Sequence, residues 1–109
     1  MVKSFDQRPL GNSGLTVSAV ALGCWPIAGV TTLGVNDADS IATIQKCFDV
    51  GINHIDTAYV YGPNGESENL IRRALGDRRD EVVLATKCGI HYEGEEMVTD
   101  CRPERLKAE

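Results

Sequence analysis

Two rhythms of apolar and polar positions alternate along the chain. Nearly unbroken apolar runs stand at VSAVALGCW, INHIDTAYV and DEVVLATKCGI. Such runs mark strands buried on both faces, as in parallel sheets. Helical spacing fills the gaps between them. Ile41, Ile44, Cys47 and Phe48 recur every three or four positions, which predicts a helix over residues 38–50. Asp37 or Asp39 is its expected cap, Ser40 offers a further capping oxygen, and Gly51 is its stop. Leu70, Ile71, Ala74 and Leu75 predict the buried face of a second helix, with Glu66 and Glu68 at its positive end and Gly76 as terminator.

At the front, RPLGNSGLTVSAV reads as a hairpin turning on Gly11, Asn12, Ser13 and Gly14. After the third apolar run, HYEGEEMVTD reads as a polar loop. CRPERLKAE then reads as the start of a helix with Pro103 in its first turn. The order is hairpin, β, α, β, α, β, loop and the beginning of α. That order predicts an α/β fold with a parallel sheet and right-handed crossovers. Two architectures share it, an open doubly wound sheet and part of a (β/α)8 barrel. The first βα junction, GCWPIAG, is not G-x-G-x-x-G, and no GK[ST] phosphate loop occurs. Both absences disfavour an open nucleotide-binding sheet.

Composition narrows the function classes. The 109 residues suit one small domain, and 42% hydrophobic with 25% charged residues suits a globular core. A net charge of −5 gives no electrostatic reason to expect nucleic acid or an anionic membrane as partner. No apolar run approaches the roughly 18 residues of a membrane helix. MVKSFDQRPLG lacks the apolar core of a signal peptide, so the expected location is cytoplasmic. Four cysteines without a C-x-x-C pair, and two histidines, give no zinc spacing. Cys24, Cys47 and Cys88 lie in apolar segments and are expected to be buried, reduced thiols.

Candidate chemistry sits where strands end. By the two-residue period, Ile52, His54, Asp56 and Ala58 share one face of the second strand; Val83, Ala85 and Lys87 share a face of the third. A crossover helix makes these strands neighbours about 4.8 Å apart. Asp56 and Lys87 are therefore expected to meet at the C-terminal edge of the sheet, where parallel α/β proteins build their sites. The competing expectation is a buried ion pair with no catalytic task. Tyr61 joins them just before Gly62. A free tyrosine, with a pKa of about 10, is a poor proton donor at neutral pH. A lysine ammonium beside it favours the phenolate, and an aspartate beside the lysine holds it charged. Alternatively, Tyr61 is only a turn aromatic. His54 is expected as interior filling with one hydrogen bond, His91 as solvated surface, and GDRRDE as a solvated connection. Trp25 is either core or the wall of a pocket.

The segments GLTVSAVALGCW, GINHIDTAYVYG, ESENLIRRALG and RRDEVVLATKCG resemble the N-terminal part of an aldo-keto reductase. The motif D-T-A-x-x-Y-G followed by A-T-K carries the resemblance, which runs from about Arg8 to the end. It implies a partial (β/α)8 TIM barrel: a hairpin at residues 8–18, then about three βα units over 19–109, stopping early in the third helix. The family reduces aldehydes and ketones, or oxidises alcohols, with NADP(H). Its tetrad is Asp, Tyr, Lys and His. Asp56, Tyr61 and Lys87 match the first three, and Tyr61 is the implied general acid. Gly23 and Trp25 match the loop beside nicotinamide and substrate, and Asp56 the residue that touches the nicotinamide ribose. The family's histidine and its phosphate-gripping segments lie beyond Glu109, and a barrel needs about 250 residues. The chain is thus expected to be an N-terminal piece, inactive alone, that associates with itself or with a complementing polypeptide. Two other expectations stand beside this one: a non-catalytic interaction piece and a small open βαβ nucleotide-binding module.

Overall fold

The computed structural model describes residues 6–30 and 32–109. Residues 1–5 of the N-terminal stretch scanned for a signal peptide, and Thr31 of the loop before the first helix, lie outside them. Strands β1 (Gln7–Pro9) and β2 (Thr16–Ser18) form the antiparallel hairpin. The long first run is then divided. It supplies β2 to the hairpin, bends, and continues as β3 (Ala21–Gly23) in another sheet. Ser18 and Asn53 fix the bend. The Ser18 backbone N–H donates to Asn53 Oδ1 at 2.7 Å, and the Asn53 N–H donates to Ser18 Oγ at 3.1 Å.

A parallel sheet follows in the order β3, β4 (His54–Asp56), β5 (Val83–Ala85). Helix α1 (Asp37–Asp49) crosses from β3 to β4, and α2 (Glu66–Leu75) from β4 to β5. The α1 cap is Asn36 rather than either aspartate: its side chain accepts from the Asp39 N–H at 2.9 Å, leaving Asp37 and Asp39 to face the positive end of the helix. Ser40 turns inward and donates to Ile27 O at 2.7 Å.

One row of the register, Leu22, Ile55 and Leu84, faces the helices. There it packs with Ile27, Ile44, Phe48, Leu70, Ile71, Ala74 and Leu75 in a single core. Each such isoleucine, leucine or phenylalanine side chain contributes roughly 1.5–3 kcal/mol when fully buried. The opposite face of the sheet is open: Ala21, Gly23 and Ala85 are exposed on it. In the GDRRDE connection, Arg78 lays its guanidinium 4.7 Å over the Phe48 ring.

After β5 the expected polar loop is a second antiparallel hairpin, β6 (Ile90–Glu93) and β7 (Glu96–Thr99). Its charged side chains masked an alternation that the strands use. A short helix α3 (Pro103–Leu106) follows, with Pro103 in its first turn as expected. Among the described residues no helix is long and apolar enough to cross a membrane.

Candidate active site

Asp56 closes β4, with Gly23 and Ala85 beside it in the register. Pairing continues past the strand ends, the Thr57 N–H donating to Ala85 O at 2.8 Å and the Tyr59 N–H to Lys87 O at 3.0 Å. This extension carries Lys87 back over Asp56. Lys87 Nζ donates to Asp56 Oδ1 at 2.7 Å and to Thr57 O at 3.0 Å. The hydrogen bond to Asp56 raises the lysine above its ordinary value, the Tyr61 oxygen adds to the rise, and partial burial opposes it. The pair is not buried: 54% of the Lys87 side chain and 46% of the Asp56 side chain remain exposed. An exposed pair of this kind contributes only about 0–1 kcal/mol, so stability is a weak reason for it.

Tyr61 lies in the turn after β4. Its N–H donates to Ala58 O at 3.1 Å, and its carbonyl receives the Ser67 N–H at 3.0 Å, which ties the turn to the start of α2. Gly62 has φ +101°, and a Cβ there would collide with the Glu66 side chain. Lys87 Nζ sits 5.4 Å from the Tyr61 ring centroid. The Trp25 ring meets Tyr61 edge to face, centroids 4.7 Å apart. Trp25 is therefore pocket wall rather than core. With Ala58, Val60, Cys88, Ile90 and Met97, these three residues line a cleft of about 320 Å³.

Other expectations change. His54 lies two residues deeper than Asp56 in β4, half-buried, and its side chain has no hydrogen-bond partner among the described residues. His91 is buried rather than solvated, because Arg105 Nε donates to its Nδ1 at 3.2 Å and its Nε2 meets Glu93 Oε1 at 3.2 Å. Cys24 is the one fully buried thiol, and desolvation, followed by the Asp56 charge, pushes it up to about 12. Cys47 is half-buried, and Cys88 is exposed on the cleft. Among the described residues no group of three or more His, Cys, Asp or Glu side chains is placed to hold a metal ion.

Two supporting residues had not been singled out, Thr57 and Ser67, both completely buried. Ser67 Oγ donates to Cys24 O at 3.3 Å and lies 2.8 Å from Thr57 Oγ1. These hydroxyls bind the ends of β3 and β4 to the first turn of α2, directly beneath the cleft. Their signal was positional: each is a polar residue on an apolar face.

The protein-family model for the aldo/keto reductase family matches residues 19–109. The chain belongs to the aldo-keto reductase family. Aldo-keto reductase YhdN of Bacillus subtilis is 33% identical over 106 residues, covering 95% of this chain and 32% of that protein. L-galactose dehydrogenase of Arabidopsis thaliana is 40% identical over 91 residues, covering 82% of this chain and 28% of that protein. The holo structure of a Bacillus halodurans aldo-keto reductase superposes with a TM-score of 0.83 at 30% identity, covering 95% of this chain and 33% of that one. This aldo-keto reductase chain thus spans about a third of the length of the relatives it matches. Its hairpin and three parallel strands are part of a (β/α)8 barrel, which decides between the two parallel-sheet architectures.

Proposed function

We propose that this chain supplies the proton-donating part of an NADP(H)-dependent carbonyl reduction, with Tyr61 as the general acid. The observation that carries the proposal is that Lys87 and Tyr61 line one open cleft while Asp56 holds Lys87 from beside it, through an ion pair too exposed to serve chiefly stability. The Tyr61 hydroxyl gives its proton to the oxygen of an aldehyde or ketone. Lys87 stabilises the negative charge that develops on the tyrosine oxygen, and Asp56 keeps Lys87 charged and fixed.

The residues fit a nicotinamide cofactor. Gly23 is exposed, and a Cβ on it would meet nothing within 4 Å, so the face beside Asp56 is clear for a flat ring and its ribose. Gly23, Trp25 and Asp56 would hold that end of NADP(H). When bound, the nicotinamide supplies the hydride. Free cysteines throughout suit a reducing compartment, and we place the protein in the cytoplasm.

A chimera tests the chemistry. Residues 1–109 would replace the third of the Bacillus subtilis reductase that they match. The product is assayed with NADPH and a panel of aldehydes and ketones. Tyr61→Phe should lower kcat at least about 100-fold with little change in KM, the usual scale of a general acid. An unchanged kcat would remove Tyr61 from the role.

A further inference from the structure

The register of the second hairpin runs on past its strands. Ile90 faces Thr99, His91 faces Val98, Tyr92 faces Met97 and Glu93 faces Glu96. One step further Gly89 meets Asp100, whose N–H donates to Gly89 O at 3.0 Å. The next opposed pair in this register is Cys88 and Cys101. Hydrogen-bonded and non-hydrogen-bonded pairs alternate along an antiparallel ladder. The bond between Asp100 and Gly89 therefore puts the two cysteines at a non-hydrogen-bonded position. Cα atoms at such a position lie about 4.5 Å apart, inside the roughly 4.4–6.8 Å that a disulfide spans. The Gly89 N–H turns to Glu109 Oε2 at 2.6 Å instead of back to Asp100, so the ladder loosens at this step. Cys101 stays close all the same. Its thiol donates to Gly89 O at 4.0 Å, and a Cβ on Gly89 would lie 3.0 Å from its sulfur. The sulfur thus rests against the residue next to Cys88. Both cysteines are free and exposed.

We propose that Cys88 and Cys101 form a reversible thiol–disulfide site that exchanges with low-molecular-mass disulfides of the glutathione type. One cysteine thiolate attacks a sulfur of the small disulfide, whose S–S bond breaks and releases one thiol. The other cysteine thiolate attacks the mixed disulfide, the protein S–S bond forms, and the second small thiol leaves. The two cysteines give up two protons and two electrons; the small disulfide takes up both and becomes two thiols. Closing the link needs rotation of the two side chains about Cα–Cβ, which breaks only the weak thiol contact to Gly89 O. The link ties the end of the Lys87 segment to the residues that lead into α3. Cys88 lines the cleft beside Lys87 and Tyr61, so the exchange takes place at the rim of the candidate site. In a reducing compartment such a bond is a transient response to oxidant rather than a permanent staple.

Mass spectrometry of the purified chain tests the pairing. Trypsin cuts after Lys87 and Arg105 but not at the Arg102–Pro103 bond, so one peptide holds Cys88 and Cys101 while Cys24 and Cys47 fall in others. The protein is equilibrated with graded mixtures of reduced and oxidised glutathione, blocked with N-ethylmaleimide and digested. With oxidised glutathione in excess, peptide 88–105 should come out two hydrogens lighter and carry no maleimide; with reduced glutathione in excess it should carry two. Cys101→Ser and Cys88→Ser should each stop at the mixed disulfide and retain one glutathione. In unfolding urea the link should form at least about tenfold less readily, because the free chain must then close the loop itself. Two maleimides in every mixture, a glutathione on each cysteine, or a link only to Cys24, to Cys47 or between chains would overturn the proposal. So would a link that forms equally well in urea, since the fold would then not be what pairs the thiols.

Discussion

Lys87 and Asp56 lie 2.7 Å apart with about half of each side chain in water. The attraction is therefore spent on the charge state of the lysine more than on the fold. Lys87 is raised above the ordinary lysine value of 10.5, chiefly by its hydrogen bond to Asp56. A group raised on folding contributes stability that is complete below its unfolded pKa and is lost as pH climbs through the folded one. Whatever stability the pair gives is thus constant across neutral pH and disappears only in alkali above 10.5. Asp56→Asn should bring the Lys87 titration back down toward that value, followed by NMR of the lysine Cε, while leaving thermal stability at pH 7 nearly unchanged. An unmoved titration would show that Asp56 does not hold the charge. This pair was legible in the sequence because period two put both residues on one strand face and a crossover made the strands neighbours. Cys88 was not: it sits in an apolar run but beyond the end of β5, where the sheet no longer covers it.

Elements meet at the site through small buried hydroxyls. The Thr57–Ser67–Cys24 chain joins β4, α2 and β3 beneath the cleft. Ser67→Ala leaves the Thr57 hydroxyl and the Cys24 carbonyl short of partners in a dry setting, which costs about 1–3 kcal/mol. Urea unfolding should show that loss as a lower midpoint at unchanged slope. A Ser67→Ala midpoint equal to the parent's would mean that water replaces the hydroxyl and the clamp is dispensable. The helices were legible because Ile44, Phe48, Leu70, Ile71, Ala74 and Leu75 keep strict helical spacing against one core. The second hairpin was not. IHYE and EMVT alternate in the strand manner around a two-residue turn at Gly94 and Glu95, but three glutamates in four residues make the segment read as solvent-exposed loop. What decides for a strand is tertiary: His91 is drawn under the hairpin by Arg105, which no local pattern encodes.

At the scale of the whole molecule, helices cover only one side of the sheet. β3 and β5 are its outer strands, and Ala21, Gly23 and Ala85 lie exposed on the uncovered face. Closed barrels have neither edge nor bare face, and open sheets elsewhere blunt their edges with charge, proline or a bulge. Among the described residues β3 is Ala-Leu-Gly and β5 is Val-Leu-Ala, with no charge or proline in either. Unpaired backbone groups on apolar edges recruit other strands, and a solution of residues 1–109 alone offers only those of further copies. The 109-residue protein should therefore sediment as a mixture whose average mass rises with concentration. Ala85→Lys puts a charge on the exposed outer strand without touching the core, since Ala85 points away from α2. It should shift the mixture toward monomer. A single monomeric boundary for the parent over a hundredfold concentration range would show that the edges are already satisfied. An Ala85→Lys protein that still associates as the parent does would place the contact elsewhere, most directly on the Trp25, Ile90 and Met97 cleft.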